Sequence, residues 1–415
     1  MTDPQVVIIG AGVAGLTAAR ELSAAGARVL VLEARDRLGG RIMTHHTSEG
    51  PVELGAEFVH GAFPETLAVV QEGGLRLREV VRPPRRYFSA MDTLLGLATV
   101  GAADESFQQL VARAALASDI KAQALRLVEG YHAADPARMS VQALIRNTAA
   151  DERPGADRQF RFADGYDSLV TAILQRIDAR LCDVQCNVVA TAVEWRPKRV
   201  LVRTSAGAEF TAPQAIVTVP LGVLKAGALH FTPALTGKEQ ALRALEMGAV
   251  VRVSLCLESE IWATQDRLSS DGFLLTGEPP FPAWWVSRPP PDPVVTAWAG
   301  GPHARALGAL SEAQRVRVAL DALPQVLGMD PVRLHEGLRA GFSHDWQADP
   351  FSRGAYSYAA VGGSVAGEEL GAPLDGTLFF AGEATESDGQ NATVHGAIAS
   401  AQRVAREVLR GEPSA

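Results

Sequence analysis

Three glycines near the start of the chain have the spacing that binds a phosphate group. Gly10, Gly12 and Gly15 follow the apolar run Val6–Ile9, which the pattern predicts to be a buried strand. Gly10 permits a tight turn, Gly12 allows backbone N–H groups to approach a pyrophosphate, and Gly15 lets the next helix pack closely on the strand. The N-terminus of that helix offers unpaired N–H donors to the anion. These residues predict a pyrophosphate-binding turn.

A carboxylate follows the second apolar run at the position that suits a ribose. The run Val29–Leu32 ends at Glu33, whose oxygens can accept hydrogen bonds from ribose hydroxyls. Strand, helix, strand and acid therefore come in the order of a βαβ dinucleotide-binding unit, which favours a ligand site over a purely structural glycine turn. The motif by itself does not distinguish NAD from FAD.

Two more glycines and two arginines come directly after the acid. Arg35 precedes Gly39, Gly40 and Arg41, and a guanidinium fork suits a pyrophosphate that one helix end only partly neutralises. This run resembles the N-terminus of FAD-dependent amine oxidases of the monoamine oxidase and polyamine oxidase superfamily. The resemblance implies FAD as the cofactor.

Two C-terminal segments carry the same resemblance. The strand-like run from residue 378 ends at Gly382 and Glu383, a carboxylate that in the family caps the phosphate end of FAD. A helix then opens near Thr393 and Val394, with its N–H groups directed at the flavin. Ala355 stands where monoamine oxidases carry the cysteine that links to FAD, so the resemblance implies a non-covalent cofactor.

Other segments are assigned to the cofactor by resemblance alone. The family's GA-x-x-x-x-G segment, here residues 55–61, runs under the flavin ring, and the strand at residues 188–193 meets the adenine through its backbone, at Val189 or Ala190. The full set of residues assigned to the cofactor is Gly10, Gly12, Ala14, Gly15, Glu33, Ala34, Arg35, Gly39, Gly40, Arg41, Gly55, Ala56, Glu57, Phe58, Val189, Ala190, Trp346, Gly382, Glu383, Thr393, Val394 and Ala397.

Four residues are assigned to the reaction site through the resemblance. His60 stands where polyamine-oxidising members carry a histidine, and near the ordinary imidazole pKa of ~6.5 it could tune the protonation of an amine. Tyr356 matches one wall of the family's aromatic cage, whereas Thr393 stands where monoamine oxidases place a tyrosine. Arg252 occupies the position of a lysine that in most members assists the reaction of the reduced flavin with O2.

The length and composition of the chain limit the number of domains and the class of fold. The chain has 415 residues, 47% of them hydrophobic, which is enough for two domains with full cores. Together with the βαβ pattern, the resemblance implies an α/β protein. We expect a Rossmann-type FAD-binding domain assembled from residues 1–80, 160–240 and 345–415, and an α+β substrate-binding domain from residues 81–159 and 241–344. Helix is expected over residues 105–129 and strand over residues 184–193. The cluster RPPRR at residues 82–86 is expected to be a solvated surface loop.

Several classes of protein are disfavoured. No apolar run reaches the ~18 residues of a membrane helix, and the chain opens directly on its first strand, so we expect a cytoplasmic protein without a membrane span. A net charge of −8 argues against nucleic acid as a partner. Cys182, Cys186 and Cys256 are odd in number and lack metal-ligand spacing, which predicts reduced thiols and no metal site. The oligomeric state is not predicted.

The resemblance implies the oxidation of a small-molecule amine, either a polyamine or another primary or secondary amine. Hydride leaves the carbon next to nitrogen, the imine is hydrolysed to an aldehyde or ketone, and O2 or another acceptor reoxidises the flavin, O2 giving H2O2. Three alternatives stay open. They are a carbon–carbon desaturase of the protoporphyrinogen-oxidase type, an L-amino-acid oxidase, which needs an arginine that binds the carboxylate, and a non-catalytic FAD-binding protein.

Overall fold

The computed structural model describes residues 3–83, 87–153, 155–263, 265, 267–268, 272–289 and 293–411. The strands, numbered along the chain, are β1 (Val6–Ile9), β2 (Val29–Leu32), β3 (Thr44–Thr47), β4 (Gly50–Glu53), β5 (Val59–His60), β6 (Leu77–Glu79), β7 (Gln159–Phe162), β8 (Cys182–Gln185), β9 (Ala190–Arg196), β10 (Arg199–Thr204), β11 (Glu209–Ala212), β12 (Gln214–Val217), β13 (His230–Thr232), β14 (Leu245–Met247), β15 (Val250–Leu257), β16 (Phe273–Leu275), β17 (Ala283–Arg288), β18 (Val294–Gly300), β19 (Leu338–Phe342), β20 (Ser357–Ala359) and β21 (Leu378–Phe380).

The helices are α1 (Val13–Ala24), α2 (Pro64–Gly73), α3 (Ser89–Leu95), α4 (Phe107–Arg113), α5 (Ser118–Tyr131), α6 (Val141–Asp151), α7 (Asp167–Leu174), α8 (Leu221–Lys225), α9 (Glu239–Ala244), α10 (Ser259–Trp262), α11 (Gly301–Gly308), α12 (Glu312–Leu327), α13 (Pro331–Glu336), α14 (Ala366–Gly371) and α15 (Val394–Arg410). A short 3-10 helix covers Glu383–Thr385.

A parallel sheet gathers strands from distant parts of the chain. Its order is β21-β12-β1-β2-β8, and every neighbouring pair runs parallel. β1 and β2 are uniformly apolar and buried because both faces of the sheet are covered, one by α1 and α15 and the other by the sheet that contains β9 and β10. The chain leaves β1 for β2 on one side, whereas β12 lies on the other, and ligands bind at the carboxyl edge beside such a reversal. Gly10, Glu33, Thr218 and Gly382 all lie at that edge.

The glycine turn after β1 requires its glycines. Gly10 has a φ of +107°, a conformation that L side chains rarely adopt. A Cβ on Gly15 would lie 1.9 Å from the Gly10 carbonyl oxygen, so α1 can approach β1 only at a glycine. The roles expected of these two residues as turn and packing glycines are thus visible in the backbone.

A second sheet has a cavity face and a core face. Its order is β16-β17-β18-β15-β19, and its pairs are antiparallel. Because side chains alternate along a strand, Val253 and Trp284 enter a core shared with Leu323 of α12. Arg252 and its cross-strand partner Trp298 lie on the opposite face. The domain boundaries expected from the sequence stay a prediction.

Two expected elements differ in the structure. The run at residues 105–129 is two helices, because Ala114 is extended (ψ 135°) and lets Leu110 and Val128 enter one core. Alanine-rich composition favours helix throughout and does not encode that turn. The expected strand at 184–193 is also two, β8 and β9, because Asn187 has a φ of +59° and the chain there crosses between sheets.

Candidate active site

A cavity of about 750 Å³ joins the carboxyl edge of the parallel sheet to the second sheet and α5. Of all the residues assigned to the cofactor or the reaction from the sequence, only Gly15 does not line it. Gly15 is buried in α1 against the glycine turn instead. Residues scattered over nearly 400 positions of sequence therefore border a single space.

Glycine loops expose backbone atoms to the end of the cavity that lies at the parallel sheet. Gly12 bridges to Gly39, and the Gly39 N–H donates to the Ala11 carbonyl at 2.9 Å, so two glycine loops lie side by side. A Cβ on Gly382, whose φ is +134°, would meet no atom within 4 Å. These loops leave room for a ligand to touch the main chain, which fits a dinucleotide.

Glu33 is held in place by the loops around it. Its Oε2 accepts from the Ala11 N–H at 2.7 Å and its Oε1 from the Arg35 N–H at 2.9 Å. The Val188 N–H donates to the Glu33 carbonyl at 2.8 Å. Val188 lines the cavity beside Val189, at the start of the segment that was expected to meet the adenine. The Val189 carbonyl already accepts from the Ser205 N–H.

Salt bridges tie the N-terminal loops to the C-terminal segments. Arg41 donates to Glu383 and to the Ala355 carbonyl, both at 2.8 Å. Glu383 in turn accepts from the Ser357 hydroxyl at 2.6 Å. Glu383 is thus fully engaged inside the protein, and its position is set by residues from three segments.

Thr393 is a helix cap. Its hydroxyl accepts from the Gly396 N–H at 3.0 Å and donates to the Gln390 carbonyl at 2.6 Å. Both hydrogen bonds of the side chain fix the turn from which α15 begins, and the assignment of Thr393 to the reaction chemistry stays a prediction. The N-terminus of α15 does border the cavity, at Thr393, Val394 and Ala397.

The other end of the cavity is an aromatic chamber. Trp285 and Phe273 are cross-strand partners with ring centroids 5.8 Å apart, and Trp298 lies 5.6 Å from Trp285. Phe58 joins them at 5.6 Å from both Phe273 and Trp285. From the sequence, Phe58 was assigned to the cofactor, and the tryptophans could not be divided between core and cavity. Because side chains alternate along a strand, a core position for Trp284 places its neighbour Trp285 on the cavity face, and this alternation was the sequence signal that could have separated them.

The remaining wall comes from tyrosines. Tyr356 lines the chamber as expected, and its hydroxyl donates to the Tyr131 carbonyl at 2.9 Å. Burial raises the pKa of Tyr356 far above its ordinary value, so the phenol stays neutral. The Tyr131 ring also lines the chamber, edge-on to His60 at 6.3 Å. Tyr131 belongs to α5 and carried no signal in the sequence.

Glu57 and two arginines form a buried ionic cluster on the chamber wall. Arg252 Nη2 lies 2.6 Å and Arg161 Nε 2.7 Å from its carboxylate, and the side chains of all three are at most 6% exposed. Trp285 Nε1 also donates to Glu57 at 2.9 Å. Burial alone raises the pKa of Glu57, but the two guanidinium groups outweigh it and hold the pKa below its ordinary value.

His60 lines the cavity and makes no hydrogen bond to the described residues. Burial, and secondarily the charge of Arg82, lower the pKa of His60 to about 4. The expectation of a pKa near the ordinary value is thus wrong, because the surrounding rings exclude the water that stabilises an imidazolium. At neutral pH His60 presents a neutral ring.

Part of the RPPRR cluster lines the cavity. Arg82 is half-buried, borders the chamber and donates to the Ala156 carbonyl. The expectation of a solvated loop therefore fails for Arg82. Residues 84–86 of the cluster lie outside the described part of the chain.

The described residues contain no set of three or more His, Cys, Asp or Glu side chains placed to hold a metal ion. Among the helices that the structure describes, none is long and apolar enough to cross a membrane.

Comparison with known proteins identifies the class. The model of the flavin-containing amine oxidoreductases matches residues 13–94 and 99–409, so this chain belongs to that family of FAD-dependent enzymes. Polyamine oxidase 4 of Oryza sativa is 26% identical over 98% of this chain and 88% of its own length. A lysine-specific histone demethylase 1 homolog of Arabidopsis thaliana is 30% identical, and this chain spans 52% of it. Putrescine oxidase bound to putrescine superimposes with a TM-score of 0.79 at 20% identity, covering 98% and 99% of the two chains.

Proposed function

We propose that this chain oxidises a primary or secondary amine in the aromatic chamber, with FAD held non-covalently along the glycine loops. The observation that carries the proposal is the continuity of the cavity. One space of about 750 Å³ connects a backbone-lined dinucleotide site to a chamber walled by aromatic rings. A cofactor that spans the first region can thus meet a small molecule in the second.

FAD, when bound, supplies the acceptor for hydride from the carbon next to the amine nitrogen. Gly12 and Glu33, at the carboxyl edge of the parallel sheet, would hold the pyrophosphate and the ribose. The N-terminus of α15 directs positive partial charge into the cavity, where it stabilises added negative charge. No cysteine is among the described residues that line the cavity, and Ala355 lines it in the expected place, which supports non-covalent binding.

The chamber residues bind and orient the amine. The rings of Trp285, Trp298 and Tyr356 exclude water, which favours the neutral amine needed for hydride loss. The neutral His60 ring can accept a hydrogen bond from the amine N–H. Three buried side-chain nitrogens that line the cavity also lack a partner among the described residues, namely His132 Nε2, Gln159 Nε2 and Gln390 Nε2. Such groups ordinarily find a ligand or a water.

The experiment is anaerobic mixing of the purified yellow protein with a panel of mono-, di- and polyamines. We expect bleaching of the flavin absorbance by at least one amine, and H2O2 release when air is admitted. The polyamine oxidases among the relatives make polyamines the first compounds to test. A flavin that no amine reduces would leave the non-catalytic alternative, and turnover of a polyene alone would favour the desaturase.

We also propose O2 as one electron acceptor and a cytoplasmic setting without nucleic-acid or membrane partners. The three cysteines, all free and at least partly buried, support a reducing compartment. Fractionation of the source cells tests the setting.

A further inference from the structure

The described residues that line the cavity offer no free carboxylate to a cationic substrate. Among the described residues that line it, the acids are Glu33, Glu57 and Glu383. Each already has protein partners: backbone N–H groups on Glu33, two guanidinium groups on Glu57, and Arg41 on Glu383. A second ammonium group of a diamine would therefore find no negative partner on this wall.

Two arginines that border the same cavity form no salt bridge with a carboxylate of the described residues. Arg126 of α5 is exposed and lines the cavity, which places it at the mouth. Its Nε lies 2.8 Å from the point that a Cβ on Gly277 would occupy, so Gly277 leaves the guanidinium its space. Arg126 makes no hydrogen bond or salt bridge to the described residues. The nearby Glu129 is paired with His303 at 3.4 Å, and the charge of Arg126 also acts on Glu129.

Arg82 adds a second positive charge to the lining of the cavity. Its one hydrogen bond to the described residues goes to the Ala156 carbonyl, a neutral acceptor, so its charge is not neutralised there. The charge of Arg82 reaches His60, which lies deeper in the chamber. The charged side chains of the chamber wall, Glu57 and Arg252, are already joined in an ion pair. This arrangement repels a distal ammonium group and attracts a distal anion.

We propose that the substrate is an amine that also carries a carboxylate, bound by Arg126 and Arg82 at the mouth while its amine enters the aromatic chamber. This inference rests on the proposed amine oxidation and narrows its substrate class. A guanidinium binds a carboxylate through two parallel N–H···O bonds, which fixes the direction in which the molecule enters. Hydride leaves the carbon next to nitrogen as before, and the carboxylate takes no part in the chemistry.

The test uses three four-carbon amines that differ only in the distal group, and one isomer whose carboxylate is attached to the carbon that bears the amine. Butylamine, 1,4-diaminobutane, 4-aminobutanoate and 2-aminobutanoate are mixed anaerobically with the flavin-loaded enzyme, and the rate constant of flavin reduction is divided by the dissociation constant. We expect one of the two carboxylates to exceed the diamine at least about tenfold. Arg126→Gln should lower the ratio of carboxylate to butylamine efficiency about tenfold, and Arg126→Glu should bring the diamine ahead.

Arg317→Gln is the matched control, since Arg317 is an exposed arginine of α12 that pairs with Asp321 and does not line the cavity. It should leave every ratio unchanged. A diamine preferred by the parent enzyme, or carboxylate ratios unaffected by both Arg126 variants, overturns the inference.

A binding measurement separates this inference from the proposed function. Butanoate has no amine and cannot be oxidised, so it reports the anion site alone through the absorbance of bound flavin and the fluorescence of Trp285 and Trp298. We expect binding that weakens at least about tenfold in Arg126→Gln. Arg126-dependent binding without reduction by any amine would sink the proposed oxidation but keep the anion site. Absence of butanoate binding rejects the anion site whatever amine is oxidised.

Discussion

Arg252 shows how one side chain can carry a charge without being able to exchange a proton. It is buried on the chamber wall, and its guanidinium lies 2.6 Å from the Glu57 carboxylate. It also donates to the Gly55 carbonyl at 3.2 Å. A guanidinium stays protonated in proteins, whereas a buried lysine is more compact and can lower its pKa. We therefore expect Arg252 to act as a fixed charge beside the reaction.

Replacing Arg252 by lysine should accelerate the reaction of the reduced enzyme with O2. In the parent protein we expect this step to be slow relative to reduction by the amine, because the fixed ion pair supplies no transferable proton. Stopped-flow mixing of reduced enzyme with O2 measures the rate directly.

Arg161→Lys is the control for that experiment. Arg161 pairs with the same Glu57 but does not line the cavity, so its replacement alters the ionic cluster without changing the cavity wall. A lysine at 252 that reacts no faster with O2 than the parent removes the argument.

His60→Ala should raise KM for the amine several-fold and leave flavin content unchanged. Because the pKa of His60 is about 4, its ring stays neutral across pH 6–8 and adds no titration step there. The pH profile of kcat/KM in that range should therefore keep its shape in the variant. His60→Gln, which retains a hydrogen-bonding side chain, should recover part of the loss in KM. Loss of flavin with unchanged kinetics per bound flavin would instead mark His60 as structural.

At the scale of elements, α15 contributes both to the core of the protein and to the wall of the cofactor site. The helix packs against α1 through Ile398, Ala401 and Val404, which are buried in the core beside the parallel sheet. Its N-terminus lines the cavity and is closed by the Thr393 side chain. A change at this cap therefore alters both folding and the electrostatics of the cavity.

Thr393→Ala should destabilise the protein by about 1 kcal/mol, the usual cost of losing a helix N-cap. It should also weaken flavin retention, because the first turn of α15 loses its fixed geometry. Thr393→Ser keeps the hydroxyl and should restore both properties. Urea unfolding of the holoprotein and flavin release on dilution provide the two measurements. Equal behaviour of the alanine and serine variants would contradict the capping role.

At the scale of the whole molecule, the cofactor site closes only when distant segments meet. Arg41 and Glu383 are 342 positions apart and form a 2.8 Å salt bridge, and Arg35 pairs with Asp349 at 2.7 Å. A ligand that binds only this assembled site stabilises the folded state by mass action. Flavin binding and global folding are thus expected to be linked.

Removing FAD should therefore lower Tm, and adding it back should restore the original Tm. At a hundredfold excess of FAD over Kd, the free energy of unfolding should be higher by about 2.7 kcal/mol than without FAD.

Acid precipitation should leave the yellow colour in the supernatant, since we propose a non-covalent link. Glu33→Ala should reduce retention through the loss of charge-assisted hydrogen bonds worth about 1.5–3 kcal/mol each, with Glu33→Gln intermediate. Flavin that remains with the precipitated chain refutes non-covalent binding.

The neutral histidines predict acid sensitivity of the fold. Burial lowers the pKa of both His60 and His132 to about 4, and burial lowers that of His395 to about 3. The unfolded chain takes up protons on these rings below its pKa of ~6.5, whereas the folded chain does not. Stability is therefore lost as pH falls from about 6.5 toward 4, by up to about 1.4 kcal/mol per pH unit for each ring.

Urea unfolding at pH 7 and pH 5 measures this loss. His395→Phe should make it smaller, because a phenyl ring can keep the stacking on Phe63 and takes up no proton. The exposed His45 provides the control variant His45→Asn. A pH dependence that is the same in all three proteins contradicts the role of His395.

The sequence by itself determined the cofactor half of this protein. Short-range rules suffice there: Val6–Ile9 and Val29–Leu32 are strands in the structure, Gly10 has its positive φ, and α15 begins after Thr393. Each depends on neighbours a few positions away, so spacing and residue type carry the information. The family followed from the same residues.

Only the tertiary structure decided the chemistry of the chamber. Arg126, Tyr131 and Trp298 come from elements with no motif, and the ionic cluster joins Glu57 to two arginines that lie 104 and 195 positions further on. The low pKa of His60 likewise comes from rings brought together by folding. Charge pairing and desolvation depend on distance in space, and no periodicity along the chain encodes which distant side chains will neutralise one another.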